Sequence, residues 1–259
     1  MKIGFIGMGN MAQALASGFT KYAKVKVHSL KAFAPNQIKL KENADKIGFT
    51  PVATLTELVE GSDIIILACK PYQMDTVLDE IRDLLKGKAV ISVVLGWNLK
   101  KWQSEQINGA RFQFVMPNIS VAAGEGVLLF EEENSLFAGE RTDMMRLFES
   151  VGLVTELPAK LMGIGGTISG CGPAFVNLFI EAYADAAVKY GISRETAYKL
   201  VSATVMGSAR LQLMSGEHPA VLKDKVCSPG GSTIKGVTTL EREGFRRACQ
   251  LSVDEIMKN

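Results

Sequence analysis

The sequence predicts an α/β protein in two parts: a helix-covered parallel sheet over residues 1–157 and a strand-free helical region over residues 158–259. Three observations predict it. Short apolar, β-branched runs alternate with helix-period stretches as far as Leu157, and a glycine-rich turn joins the first such run to the first helix. After Pro158 no strand-like run recurs.

The elements follow in order. Residues 3–6 form an apolar run that stops at Gly7, after which Met11, Leu15 and Phe19 return at helical spacing. A second strand is expected over residues 30–34, closed by Pro35, with Asn36 capping a helix through "QIKLKENADKIG". "TLTELVEGSDIIILACKP" reads as a short helix, a turn at Gly61-Ser62 and an apolar strand over 64–68. "KAVISVVLG" and "RFQFVMPN" repeat that strand, and "GVLLFEEE" and "SVGLVTEL" offer two more. Continuous apolar runs separated by helices are strands buried on both faces of a parallel sheet. Beyond Pro158, "PAFVNLFIEAYADAAVKYG", "SRETAYKLVSATVMGSARLQLMSG" and "FRRACQLSVDEIMKN" are helices.

Bulk properties exclude several function classes. A formal charge of +2 supplies no field for nucleic acid or an anionic membrane surface. Four scattered cysteines without a CxxC, and only His28 and His218 beside them, offer no metal site and fit a reducing cytoplasm. Met1-Lys2 leads straight into a strand, so no signal peptide is expected. No apolar segment is expected to reach the ~18–20 residues of a membrane span.

Gly7-x-Gly9-x-x-Ala12 lies directly after the first strand and opens the first helix, the context that a Rossmann dinucleotide-binding domain requires. Gly7 allows the tight turn, Gly9 lets backbone approach a pyrophosphate, and Ala12 lets helix pack on strand. Ile6, Gly7, Met8, Gly9, Asn10 and Met11 are therefore cofactor-binding candidates, with the free N–H groups of the helix start facing the phosphates. An NAD-specific site places an acid after the second strand; "KAFAPNQIK" has none. Asn36 and Gln37 can donate to a 2′-phosphate there, and Lys31 or Lys39 can supply charge or merely a solvated surface. NADPH is the expected cofactor and NADH the alternative. Ala68, Cys69, Lys70 and Pro71 end the third apolar strand, Val94 and Gly96 follow the next, and Asn118 follows "RFQFVMP", all where ligands of such sheets collect. Asn118 either meets the nicotinamide or caps the turn after Pro117.

In the helical region Pro173 sits where a helix start tolerates it, and Glu181 and Asp185 share a face as solvated charge. Phe175, Leu178, Phe179, Tyr183 and Ala186 cover more of that helix than one buried stripe needs, which points to a helix from a second subunit. In "KDKVCSPGGSTIKG" the run Gly230-Gly231-Ser232-Thr233 precedes a helix, and its backbone N–H groups can form an anion-binding nest.

"IGFIGMGNM", "ACKP", "MPN", "SGCGPAFVNLFIEAYADAA", "SGEHPAVLKDKVCSPGGSTIKGV" and "LEREGFRRA" together resemble the pyrroline-5-carboxylate reductases, nearly end to end and in family order. The resemblance implies a Rossmann domain (1–157) and a helical dimerisation and substrate-binding domain (158–259), in interlocked homodimers from which decamers can be built. It implies hydride transfer from NAD(P)H to the C=N bond of 1-pyrroline-5-carboxylate, giving L-proline as the last step of proline biosynthesis. By the same resemblance Ser228, Gly230, Gly231, Ser232 and Thr233 bind the substrate. Thr233 is the catalytic candidate, its hydroxyl directed at the ring nitrogen opposite the nicotinamide. Two departures stand out: Cys171 replaces the usual Ser of "SGSGPA", and "VVLGWNLKKW" replaces a small-residue run. His218 before Pro219 shapes a helix break, and Cys227 lacks an adjacent base for nucleophilic work. The competing readings are another imine or β-hydroxyacid reductase of the same plan, and a nucleotide-sensing protein without catalysis.

Overall fold

The computed structural model describes residues 1–258, which divide into two compact units at Gly170/Cys171. In the first unit eight strands form one sheet. They are β1 (Lys2–Ile6), β2 (Ser29–Phe33), β3 (Thr50–Pro51), β4 (Ile64–Leu67), β5 (Ala89–Ser92), β6 (Arg111–Pro117), β7 (Gly126–Glu131) and β8 (Gly152–Leu157). Their order is β3-β2-β1-β4-β5-β6-β7-β8. The helices of this unit are α1 (Asn10–Tyr22), α2 (Gln37–Ile47), α3 (Leu55–Glu60), α4 (Met74–Ile81), α5 (Leu99–Ser104), α6 (Ala138–Glu149) and α7 (Ala159–Gly166).

The strand order reverses between β1 and β4, the switch point outside whose carboxyl ends such sheets hold ligands. Two apolar layers sandwich the sheet. One gathers Phe5, Phe19, Phe130 and Phe148, with Phe148 edge-on to both Phe19 and Phe130 at 5.3 Å. The other contains Leu58, Ile65, Trp102 and Phe112, the last two stacked at 4.6 Å. These full-depth burials explain why β1, β4 and β5 read as unbroken apolar runs rather than as alternation.

The sheet is not wholly parallel. β6 and β7 pair antiparallel, with Met116 opposite Leu129, and β7 and β8 are again parallel. Between β6 and β7 the chain makes only a 3₁₀ turn, Ile119–Ala123, which is too short for the crossover a parallel pair needs. The two compact units also divide later than residue 157, because α7 lies on the sheet. A Cβ added at Gly165 would come within 2.6 Å of Leu157 Cδ1 and 2.8 Å of Leu129 Cδ1.

The second unit holds α8 (Gly172–Lys189), α9 (Arg194–Ser215), α10 (Pro219–Lys225), α11 (Ser232–Arg242) and α12 (Phe245–Met257). Its only fully buried apolar residues among those described are Ala184 and Ala197, while Leu178, Leu213 and Met214 stand 66%, 73% and 77% exposed. The expectation that no segment reaches a membrane span needs correction. Ala159–Lys189 is one helical run long and apolar enough to cross a membrane, by length and composition only. Residues 161–180 of this run carry no charge, but glycines and polar residues break them into short apolar pieces, so their combined length shows only once the helix is seen to be continuous.

Candidate active site: a nucleotide cradle and a glycine nest

The cradle forms where three strand ends meet. Gly7 leaves β1 with φ +95°, its N–H donates to Phe33 O at the end of β2 (2.8 Å), and Ala68 N–H donates to Ile6 O (2.8 Å). A Cβ at Gly7 would lie 2.7 Å from both Ala68 O and Cys69 N, so only glycine lets the turn rest against the end of β4. Gly9 differs: it precedes α1 in extended conformation, and a Cβ there would meet nothing within 4 Å. The first turn of α1 has no acidic residue and no side-chain cap. The N–H groups of Asn10 and Met11 thus start a helix beside an open cradle that a Cβ would partly fill, which fits a pyrophosphate. Met8 is buried and its carbonyl accepts from Gln13 Nε2 (2.9 Å), which pins the turn from within the helix. Gln13 was not singled out from the sequence; a long amide inside the small apolar start of α1 was the available signal.

The neighbouring strand ends complete the edge. Asn36, three residues past β2, caps α2 by accepting from Lys39 N–H (3.0 Å). Gln37 Nε2 donates to Ala34 O (2.9 Å) and Val52 O (3.3 Å) and is committed to holding that loop. Lys31 lies elsewhere: an added Cβ on Gly61, which precedes β4, would be 2.7 Å from its Nζ, so its ammonium sits toward the amino end of the sheet. Beyond β4, Lys70 and Pro71 are exposed at a 3₁₀ turn, and Lys70 N–H donates to Gln73 Oε1 (3.0 Å). Burial pushes the Cys69 thiol up to about 11, and its Sγ lies 3.3 Å from Met74 Sδ, so it is a neutral apolar group of the cradle wall.

After β5, Trp97 N–H closes a turn onto Val94 O (3.0 Å), with Gly96 at φ +83° in the position that requires it. Val94 and Trp97 are buried, while Leu95 and Gly96 are exposed at the tip. The bulky replacement at Trp97 therefore points into the core and leaves the tip unobstructed. Asn118 is almost fully buried and both ends of its amide are used: Oδ1 accepts from Val127 N–H (3.1 Å) and Nδ2 donates to Ser169 O (3.0 Å). Its side chain does not cap the turn after Pro117; it ties the end of β6 to β7 and to Ser169, with one amide hydrogen left over.

In the second unit, Ser228-Pro229-Gly230-Gly231 is a tight turn closed by Gly231 N–H to Ser228 O (3.0 Å), with Gly230 at φ +71°. Gly231 is the N-cap of α11, and a Cβ there would meet Ser228 Oγ at 2.5 Å. Ser232 and Thr233 follow as the first helical residues, both exposed, and the first turn carries neither an acid nor a capping side chain. The five residues marked from the sequence therefore stand together around one uncapped helix start. His218 Nδ1 accepts from Ala220 N–H (3.2 Å) as the N-cap of α10, the break-shaping role expected of it. Cys171 ends a π-helical turn, Thr167–Cys171, that leads into α8. Among the described residues no cluster of three or more His, Cys, Asp or Glu side chains is placed to hold a metal.

A glycine turn at the switch point of a Rossmann sheet, joined in one chain to a helical unit, defines a two-domain NAD(P)H-dependent oxidoreductase. Residues 2–96 match a family model described as NADP oxidoreductase, coenzyme F420-dependent, and residues 159–259 match the pyrroline-5-carboxylate reductase dimerisation model. The pyrroline-5-carboxylate reductase of Treponema pallidum is 38% identical over 252 residues, covering 96% of this chain and 95% of that protein. That of Escherichia coli is 36% identical over 248 residues, covering 95% and 92%. A crystal structure of Plasmodium falciparum pyrroline carboxylate reductase with NADP bound superposes with a TM-score of 0.88 at 32% identity, covering 100% of this chain and 96% of that one. The chain belongs to the pyrroline-5-carboxylate reductase family, and its helical unit is a self-associating one.

Proposed function

We infer that the chain reduces the C=N bond of 1-pyrroline-5-carboxylate to give L-proline, with NADPH as hydride donor, at the end of proline biosynthesis. Family membership supports the reaction. The observation that carries the site reading is the uncapped start of α11 behind the Ser228–Gly231 turn. Its free N–H groups and helix dipole suit a small carboxylate.

Reduced nicotinamide, when bound, supplies the hydride for the imine carbon. The residues of this chain do the rest. Gly9, Asn10 and Met11 take the pyrophosphate, with Ile6, Gly7 and Met8 shaping the turn. Ala68 to Pro71 and the tip at Val94 and Gly96 line the same edge, and Asn118 keeps one amide hydrogen for the ligand. Gly230, Gly231 and Ser232 bind the substrate carboxylate through backbone N–H groups, with Ser228 bracing the turn. Thr233 meets the ring nitrogen with its hydroxyl: the oxygen accepts from the iminium N–H and so aims the ring, and the O–H can donate to the lone pair that hydride transfer leaves on the amine. A hydroxyl is far too weak an acid to create that iminium, so the imine takes its proton from hydronium or a buffer acid of the solvent before hydride transfer, and the amine product keeps it.

The preference for NADPH rests on the loop after β2, which carries Ala34, Pro35, Asn36 and Gln37 and no acid to hold a ribose 2′-OH. The Nδ2 of Asn36 is the donor offered to a 2′-phosphate, since its Oδ1 is occupied by the helix cap. For assembly, we read the segment from residue 158 onward as forming an interlocked homodimer, with decamers as the higher form, in the cytoplasm. The exposed apolar surface of Ala159–Lys189 is then a subunit surface, with no membrane or nucleic-acid partner. Oxidation of NADPH and of NADH with 1-pyrroline-5-carboxylate, against a panel of other imines and keto acids, tests the reading. NADPH oxidation with this imine above the rest is expected; none with it overturns the reaction, and faster NADH oxidation overturns the cofactor.

A further inference from the structure

The turn after β5 is held from two strands away. Glu131, the last residue of β7, is 2% exposed, and its Oε2 accepts a hydrogen bond from Leu99 N–H (3.0 Å). Leu99 is the first residue of α5, which the chain enters directly from the tip at Leu95 and Gly96. In the sheet β6 lies between β5 and β7, so the contact joins the start of α5 to a strand that is not a neighbour of β5. The segment is fixed at its other end as well. Val93 N–H donates to Leu67 O (3.0 Å) and Val94 N–H to Ser92 Oγ (3.2 Å). Trp97 anchors the middle in the core.

The acid satisfies a buried helix-start N–H, that of Leu99, which the side-chain cap leaves free. Asn98 already caps α5 by accepting from Lys101 N–H (3.0 Å). Burying a carboxylate is costly, and burial pushes the Glu131 carboxyl above its ordinary value, with the Leu99 N–H acting in the opposite direction. The tip it supports is otherwise free, with Leu95 exposed and nothing within 4 Å of a Cβ at Gly96.

We propose that Glu131 is a positioning residue for the dinucleotide: by clamping Leu99 N–H it sets the residue 94–98 turn at the height at which Val94 and Gly96 meet the cofactor. The proposal rests on the nucleotide-binding reading above and goes beyond it in assigning a role to a residue of β7. The mechanical basis is plain. Without the clamp the turn keeps its strand-side anchors but loses the one at the helix start, so the tip samples more positions and the cofactor must order it on binding.

The chain carries its own reporter. Its only two tryptophans, Trp97 and Trp102, lie in this segment and are 5% and 3% exposed. Their emission reports the turn directly, and its quenching by energy transfer to a dihydronicotinamide gives a dissociation constant without turnover. The test compares the full-length protein with Glu131→Met, which matches the volume and removes the acceptor, and Glu131→Gln, which restores it. Wild type must bind NADPH in the same titration; failure there sinks the nucleotide reading rather than the clamp. For Glu131→Met the expectation is red-shifted emission, a Kd for NADPH raised about 10-fold, an unchanged KM for the imine, and kcat within about twofold; Glu131→Gln stays within about twofold of wild type throughout. Leu99→Pro deletes the donor at a helix position proline favours and serves if the Met variant does not fold. A folded Met or Pro variant with wild-type Kd overturns the proposal. So does a Gln variant as weak as Met.

Discussion

The two units solve the problem of burial in opposite ways. The first encloses Phe5, Leu15, Phe112, Phe130 and their neighbours completely, and each such side chain contributes about 1.5–3 kcal/mol. The second folds five helices around Ala184 and Ala197 and leaves Leu178, Leu200, Met206, Leu211, Leu213 and Met214 at the surface. A helical unit that hides two alanines has no core of its own to offset the entropy of ordering its backbone. Its match to a dimerisation model makes self-association the expected source of that missing burial, whereas the sheet unit carries its burial within itself. The apolar groove among Phe175, Phe179, Val205, Phe245 and Cys249 belongs to the same unsatisfied surface.

The strongest way to break this comparison is to charge that surface. Leu178→Glu sits on α8 at 66% exposure, so it costs the isolated chain little. In an assembly it buries an unpaired carboxylate, and a loss of several kcal/mol of association is expected. Sedimentation should show monomers with partly melted helices, while NADPH binding to the first unit persists. Unchanged assembly would mean that the dimer uses a different face.

Next in size is the contrast between two glycines two residues apart. Gly7→Ala places a methyl 2.7 Å from backbone atoms at φ +95°, and we expect about 3 kcal/mol of destabilisation, read as a lower melting temperature of the first unit. Gly9→Ala meets nothing, so stability should fall by less than about 1 kcal/mol. Its methyl instead occupies the cradle, and a Kd for NADPH weakened at least ~10-fold is expected from tryptophan quenching. Equal effects of the two on stability would remove the distinction. In the other unit Thr233→Ala leaves an exposed helix start intact, and we expect a fall in kcat of ~10²-fold or less with an unchanged melting profile. Full activity would release Thr233 from the site.

Legibility in the sequence followed the same division. β1, β4 and β5 were readable because burial on both faces demands unbroken apolar runs, and Gly7 because its conformation admits nothing else. The reversal at β7 was not, because strand direction depends on the length of a connection rather than on the strands themselves. α7 was invisible as part of the first unit, since its glycines carry no pattern until Leu157 and Leu129 are seen beneath Gly165. At the candidate site, the Ser228–Gly231 turn and the helix start behind it were legible because glycine, proline and hydroxyls are local turn chemistry. Gln13 and Glu131 were not, because each acts on a backbone group that only the fold brings near.

The smallest expected effect sharpens the claim that the stability of the first unit is its own. Gln106 has φ +51°, the only left-handed residue other than glycine among those described. It follows the C-cap of α5, and its N–H donates to Gln103 O (3.2 Å), so it occupies the position that glycine ordinarily takes at a helix end. Its side chain is exposed, so little contact is lost on removal. The Cβ penalty of about 1–2 kcal/mol in this conformation is relieved in Gln106→Gly, and the extra freedom of an unfolded glycine returns part of it. A net gain of about 0.5–1 kcal/mol, or roughly 2 °C in Tm, is expected. The gain should appear in the transition of the first unit alone, with sedimentation unchanged and without dependence on protein concentration. If instead the shift grows with concentration, the sheet draws its stability from assembly too, and the two units differ less than their cores suggest.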